Sequence, residues 1–127
     1  MGSIDLIAVI AATLAFWLVG ALWYGVLFGK LWQRETGVSE APAGGRMALI
    51  MGLTLAFEML VVLMLAHLVA RTSPAPHVVL MMAAGFALAV MTPAIGINYL
   101  HQRKSLALFL IDAGHFLAGM LAAGGVL

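Results

Sequence analysis

The stretch MALIMGLTLAFEMLVVLMLAHLVA, residues 47–70, decides the class of fold. Glu58 is its one residue of the types Asp, Glu, Lys and Arg, and its other polar side chains are Thr54 and His67. A run of about 20 apolar residues is long enough to cross the hydrocarbon core of a bilayer as a helix. Backbone polar groups in lipid must bond within their own segment, which a helix achieves. The stretch therefore predicts a membrane-spanning helix.

Three further runs of this kind lie at 4–28, 78–100 and 106–127. Of the 127 residues, 65% are hydrophobic and 9% charged, whereas charged residues make up about a quarter of ordinary soluble domains. We therefore predict one all-α domain, a polytopic membrane protein built as a four-transmembrane-helix bundle. The polar segments between the runs predict loops, the first of them at 29–45 with Pro42.

The charged residues exclude several classes of function and predict an orientation. A net charge of +1 and the absence of cysteine argue against nucleic-acid binding, disulfides and thiolate metal sites. Five of the six Lys and Arg residues lie in or directly beside the first and third loops, which predicts that these loops are cytoplasmic and that both termini are on the other side. The five are Lys30, Arg34, Arg46, Arg103 and Lys104, and the sixth is Arg71.

Three ionisable residues lie deep in the predicted spans, where a charge is costly. At about 1.5 Å per helical residue, Glu58 is roughly 18 Å from Arg46, and His115 is roughly 17 Å from Lys104. Asp112 is one turn shallower and, being three residues from His115, shares its helix face. We predict that these side chains form an intramembrane polar cluster between the second, third and fourth spans.

The third span contributes further polar features to the predicted cluster. Pro93 cannot donate a hydrogen bond to the carbonyl of Ala89, which predicts a helix break beside Thr92 at the depth of the cluster. The Thr92 hydroxyl is one group that can satisfy a carbonyl freed in this way. The amide of Asn98 is too polar for lipid, so we predict that it points inward.

Two interpretations of the cluster remain open from sequence. It is either a small hydrated site that binds or moves a solute, ion or proton, or a clamp of hydrogen bonds between helices. One Asp-x-x-His with one Glu falls short of the sets that hold carboxylate-bridged metals, and His115 has no second histidine at its depth for a haem. We therefore predict no metal and no cofactor, and no catalytic residues, since nothing indicates an enzyme.

Aromatic and small residues predict contacts with lipid and with other helices. Trp23, Tyr24, Lys30 and Trp32 lie at the inner end of the first span, where we predict an interface anchor, or else a headgroup or substrate site in which Tyr24 faces Asn98 and Tyr99. Small residues spaced by four allow helices to approach closely in lipid. Such pairs are Gly25 with Gly29, Gly114 with Ala118, and Gly119 with Ala123; one pair of the fourth span is expected to pack inside the chain and the other against a second copy.

Two separated motifs resemble those of a known family: GALWY at 20–24 followed by FGKLW at 28–32, and later LFLIDAG at 108–114. Together they are similar to the bacterial domain-of-unknown-function family 1761, and the likeness covers nearly the whole chain. The family pattern has Ser-Pro after Trp-Tyr and Tyr-His after Asp-Ala-Gly, where this chain has Gly25-Val26 and His115-Phe116. The resemblance implies a multi-pass protein of the bacterial inner membrane and assigns no activity.

Two functions remain as expectations. The first is the binding or movement of a small solute, ion or proton through Glu58, Asp112 and His115. The second is a non-catalytic accessory or scaffold role as a subunit of a larger membrane complex. The expected partners are the lipid bilayer and either a second copy, as a homodimer, or a larger membrane complex.

Overall fold

The molecule is built on four long apolar helices, each of which runs antiparallel to the one before it in the chain. In the computed structural model, which describes residues 3–38 and 44–127, they are α1 (Leu6–Leu27), α3 (Arg46–Thr72), α4 (Pro76–Gln102) and α5 (Leu106–Val126), each long and apolar enough to cross a membrane. A short helix, α2 (Gly29–Thr36), follows α1. The predicted class, an all-α polytopic membrane protein with four spanning helices, is confirmed. Pro42, expected in the first loop, lies outside the described residues.

Side chains and left-handed residues set the ends of these helices. The Asp5 carboxylate caps α1 by accepting from the Ile7 and Ala8 amides at 3.0 and 3.2 Å, and Ser105 caps α5 through the Leu108 amide. Left-handed backbone ends α3 at Ser73 and α4 at Arg103. These local signals are why the predicted span limits fall within a few residues of the observed ones.

The first connection differs from the prediction of a loop beginning at residue 29. Gly29–Thr36 is helical because its interior residues are good helix formers, and Gly37, at φ 76°, ends the helix. A Cβ at Gly29 would lie 2.3 Å from the Tyr24 carbonyl oxygen, so the chain turns from α1 into α2 at a point where only glycine fits. This turn keeps α2 against α5.

The helices pack around α1 and α5. The closest partnership is α1 with α5; α3 packs on α1, α4 packs on α5, and α3 meets α4 in the segment Pro76–Phe86. The core lies at the end of the bundle opposite the five clustered basic residues. Its buried members are Val9, Ala12, Phe16, Val62, Leu65, Ala66, Ala83, Ala87, Met120 and Ala123.

The first half of α3 has no such packing. From Arg46 to Leu53 every residue is exposed in the single chain, and burial on this helix begins at Glu58. We call the end of the bundle that carries Lys30, Arg46 and Lys104 the basic end. At that end α3 therefore stands away from the other helices.

Two spans contain a π-helical turn, at Trp23–Leu27 in α1 and at Ala87–Met91 in α4. The second turn directly precedes Pro93 and accommodates it. The helix does not break at Pro93, as the sequence predicted, but widens into a π turn and continues to Gln102. The Ala87 carbonyl accepts from both the amide and the hydroxyl of Thr92, the latter at 2.7 Å. A π turn carries an extra residue, so it rotates all that follows relative to a regular helix.

The small residues of α5 are used inside the chain. A Cβ at Gly114 would lie 2.9 Å from the Trp23 ring, and one at Gly119 would lie 2.6 Å from the Phe16 ring. Ala123 is fully buried. Both small-residue pairs of this helix therefore contain a member packed within the chain, whereas one had been expected to face a second copy. Gly25, by contrast, is exposed with open space around it.

Candidate functional site

Asp112 is the centre of a buried hydrogen-bonded site built by three helices. Tyr24 of α1 donates its hydroxyl to Asp112 Oδ1 at 2.5 Å, and Tyr99 of α4 donates its hydroxyl to Oδ2. Only 8% of Asp112 is exposed. Each carboxylate oxygen therefore has a donor from a different helix. This is how a buried carboxylate is tolerated, because unpaired charges in such surroundings are expensive.

Neighbouring residues of α1 contact neighbouring residues of α5. Beside the Tyr24 contact, Trp23 donates its indole N–H to the Ile111 carbonyl oxygen at 2.9 Å. The π turn begins at Trp23 and so includes both residues whose side chains meet α5, and such turns often occur at functional sites. The two bonds fix the register of α1 against α5 at the level of Asp112.

His115 lies one turn beyond Asp112, among aromatic rings. Its ring centroid is 5.0 Å from that of Tyr24, 4.9 Å from Phe116 and 5.8 Å from Phe16. The residue is 6% exposed, and neither ring nitrogen has a hydrogen-bond partner among the described residues. Its Nε2 faces α1 at Gly20, where a Cβ would lie 2.9 Å away. Glycine at position 20 thus makes room for the imidazole.

Glu58 is buried but does not join the Asp112 site. It is 5% exposed, and within the described part of the chain its Oε2 has no hydrogen-bond partner. No hydrogen bond or ion pair to Asp112 or His115 is formed in residues 3–38 and 44–127. The prediction that the second, third and fourth spans build the site is wrong in this respect: α1, α4 and α5 build it, and α3 packs chiefly on α1.

The third-span residues of the predicted cluster, Thr92, Pro93 and Asn98, do not contact Asp112 or His115 through hydrogen bonds in the described part of the chain. The Thr92 hydroxyl is used within α4 at Ala87, as described above, and Pro93 is exposed. Asn98 is also exposed on the single chain, so the prediction that it points inward is wrong. Tyr99, the next residue, is the one that reaches Asp112.

The predicted interface residues divide between the bundle and its surface. Trp23 and Tyr24 donate hydrogen bonds to α5. Tyr24 therefore faces the bundle, which was the alternative to an anchor at the membrane interface. Trp32 of α2 lies edge-on to Tyr24, with ring centroids 6.1 Å apart, and Lys30 is exposed. A continuous set of aromatic contacts thus runs from α2 through Tyr24 to His115.

Sequence reasoning missed Tyr99 as a partner of Asp112 and named it only as a neighbour of Tyr24. A usable signal was present, since Tyr99 is five residues from Lys104, and Tyr24 is six residues from Lys30. At the helical rise both phenols lie roughly 8–9 Å inside the basic end, and Asp112 lies roughly 12 Å inside it. In the described residues no group of three or more His, Asp or Glu could hold a metal ion.

The fold and the site define a class: a small polytopic membrane protein with a tyrosine-bonded carboxylate and a buried histidine inside its bundle. Within that class, the family model described as "Protein of unknown function (DUF1761)" matches residues 7–127. The chain therefore belongs to the DUF1761 family, and the resemblance seen in its motifs is confirmed. No curated protein and no solved structure matches the chain.

Proposed function

We propose that this chain binds, or moves across the membrane, a proton, an ion or another small solute at the site around Asp112 and His115. The observation that carries the proposal is the buried His115, whose two ring nitrogens have no partner among the described residues. Buried polar groups normally have partners, so such an exception calls for an explanation. Ionisable residues inside a membrane are functional candidates by default.

The two ionisable residues have different roles in this proposal. Asp112 has a phenol hydroxyl on each oxygen, so both of its oxygens are already hydrogen-bonded within the bundle. His115 has no such bonds, and an imidazole nitrogen can accept and release a proton or bind a ligand. Tyr24 contacts both, because its hydroxyl bonds Asp112 and its ring packs beside His115. The site thus places a hydrogen-bonded carboxyl group beside an imidazole whose nitrogens have no partner among the described residues.

The test is ion flux in liposomes containing the purified protein. An imposed pH or monovalent-ion gradient is expected to decay faster with the wild-type chain than in protein-free liposomes. His115→Phe is expected to return the rate to the protein-free value, and the matched control His77→Phe, at an exposed position, is expected to keep the wild-type rate. Equal rates for wild type and His115→Phe would overturn the proposal.

A non-catalytic accessory or scaffold role is the second candidate, and two observations favour it. The Asp112 bonds join α1, α4 and α5, as a structural clamp would. Asn98 presents an amide on the outer face of α4, where another protein chain would satisfy it better than lipid. In this case the chain should purify with a larger membrane complex, and Asn98→Leu should release the partner without unfolding the chain.

The location and orientation belong to the same proposal. We place the chain in the bacterial inner membrane with the basic end in the cytoplasm and both termini on the other side. The distribution of the basic residues supports this orientation. The bilayer and a second copy are the expected partners, with no nucleic acid and no cofactor.

A further inference from the structure

A series of side-chain contacts joins Tyr99 to His115. Tyr99 of α4 and Tyr24 of α1 donate their hydroxyls to opposite oxygens of Asp112, the Tyr24 bond at 2.5 Å. The Tyr24 ring is in turn edge-on to the His115 ring, with ring centroids 5.0 Å apart. Each neighbouring pair in this series is therefore in contact, and each member carries a group that can hold and release a proton.

The two ends of the series differ in burial. His115 is 6% exposed and Asp112 is 8% exposed, whereas Tyr99 is only partly buried. Tyr99 is five residues from Lys104, which is roughly 8 Å at the helical rise. Tyrosine is common near the membrane interface because its ring is apolar and its hydroxyl polar. The series thus runs from the basic end to a base in the interior of the bundle.

Tyr24 is at a similar depth to Tyr99, but aromatic rings cover it. Trp32 of α2 lies edge-on to the Tyr24 ring, with centroids 6.1 Å apart, and His115 also packs on that ring. In the described residues no aromatic ring packs on Tyr99 in this way. Of the two phenols that bond Asp112, Tyr99 is therefore the one open toward the basic end.

The polar group on the other side of His115 does not continue the series. Thr13 lies on α1 beyond Phe16, is 1% exposed, and donates its hydroxyl to the Val9 carbonyl oxygen at 2.7 Å. A backbone carbonyl is not a base that takes up the proton it is offered. Within the part of the chain that the structure describes, the connection from His115 therefore leads to the basic end.

We propose that protons from the basic end enter at Tyr99 and are relayed to His115. The relay consists of Tyr99, Asp112, Tyr24 and His115, in that order. Tyr99 passes its hydroxyl proton to Asp112 Oδ2 and takes up the incoming proton, which leaves Asp112 as a neutral acid. Asp112 then gives a proton to the Tyr24 oxygen as the Tyr24 hydroxyl turns and gives its own to a ring nitrogen of His115. Asp112 and both tyrosines end as they began, and His115 has gained one proton.

This inference rests on the proposed function, because it names the proton as the ion of that site and the side from which it arrives. The helices packed around the relay contribute few other groups. The α2 helix contributes the Trp32 ring, whose N–H can donate but not accept. The α3 helix carries Glu58, which forms no hydrogen bond with the relay in the described residues. Asp112 is therefore the acid, in this part of the chain, that the relay uses.

The test is magic-angle-spinning NMR of the full chain in lipid nanodiscs with isotope-labelled histidine. It measures the rate of proton exchange between bulk water and the ring nitrogens of His115, whose signals among the four histidines are those that His115→Phe removes. Tyr99→Phe is expected to slow this exchange by about a hundredfold, the lower end of what a positioned proton-transfer group contributes. Thr13→Val is the matched control, because it deletes one hydroxyl on the other side of His115, and it should exchange at the wild-type rate.

A second measurement separates proton transfer from mere support of the site. The two tyrosines of the chain are Tyr24 and Tyr99, so growth on ring-fluorinated tyrosine replaces both phenols of the relay and retains their hydroxyls. The fluorinated phenol is more acidic, so a relay shifts the pH profile of His115 exchange toward lower pH, whereas a structural role leaves it in place. Unchanged exchange in Tyr99→Phe, slowed exchange in Thr13→Val, or an unshifted pH profile overturns the inference.

Exchange is measured at equilibrium without a gradient, so the two proposals fail separately. Exchange that depends on Tyr99 but occurs without flux would refute transport and leave the route of the proton. Flux that persists in Tyr99→Phe would refute this route alone.

Discussion

Removing the tyrosine hydroxyls from Asp112 is the perturbation with the clearest expected magnitude. Tyr24→Phe and Tyr99→Phe each keep the ring and delete one donor to the carboxylate. A hydrogen bond to a charged group contributes about 1.5–3 kcal/mol in soluble proteins, and side-chain bonds between membrane helices average about 0.6 with a maximum of about 1.7 kcal/mol. Because this acceptor is a buried carboxylate, we expect about 1–2 kcal/mol for each single variant.

The double variant should cost more than either single one. After one substitution Asp112 keeps one donor, whereas after both it has none of its phenol partners, so the effects are coupled and need not add. We expect about 3 kcal/mol or more for the double variant, because a buried carboxylate without partners carries a large desolvation cost.

The assay is reversible unfolding of the purified chain in mixed micelles, with the free energy of unfolding read from the helical signal. Thr72→Val is the control, since its hydroxyl bonds only the Leu68 carbonyl of its own helix at an exposed position. If Tyr24→Phe and Tyr99→Phe are both as stable as this control, the Asp112 bonds do not hold the three helices together and the reasoning is refuted.

Three further predictions concern packing, the π turn and orientation. Gly119→Ala should lower stability by about 1–3 kcal/mol, as overpacking does, because its Cβ would meet a fully buried ring; Gly125→Ala, with open space, should be neutral in the same unfolding assay. Thr92→Val removes the hydroxyl that donates to the Ala87 carbonyl oxygen and should lower the free energy of unfolding by about 0.5–1.5 kcal/mol. An unchanged unfolding midpoint would contradict this prediction. In this cysteine-free chain, Gln33→Cys should react with a membrane-impermeant thiol reagent only from the cytoplasmic side and His77→Cys only from the other, and the reverse pattern would invert the topology.

The spans and the depth of the ionisable residues could be predicted because bilayer physics acts on single helices. The length of an apolar run and its basic flanks fix where a helix crosses, and counting residues from Lys104 gives the depth of Asp112 and His115. Their spacing of three gives their common face. None of these inferences requires knowledge of which helices are neighbours.

The neighbours of Asp112 could not be predicted because they depend on a backbone irregularity. Val79, Ala83 and Ala87 are buried at intervals of four, and three regular turns, about 11 residues, beyond Ala87 would put Asn98 inward. The π turn at Ala87–Met91 adds one residue, so Tyr99 takes that position. The sequence shows Pro93 but does not show that the helix widens before it instead of breaking.

The place of Glu58 was missed for a different reason. Its depth agrees with that of His115, but depth does not tell which helix α3 packs against. The structure puts α3 on α1, and Glu58 forms no hydrogen bond with the Asp112 site among the described residues. Helix order around a bundle depends on side-chain fit along whole faces, which local spacing does not encode.

The most direct test of the central claim measures flux and molecular mass on the same preparation of Asp112→Asn. The substitution removes the charge and retains oxygen and nitrogen atoms near the two phenols, so the account predicts that the chain keeps its wild-type mass in detergent and loses its flux in liposomes. If Asp112→Asn instead keeps wild-type flux, or if its flux is lost only because the assembly dissociates, Asp112 is a structural clamp and the proposed binding or transport function is contradicted.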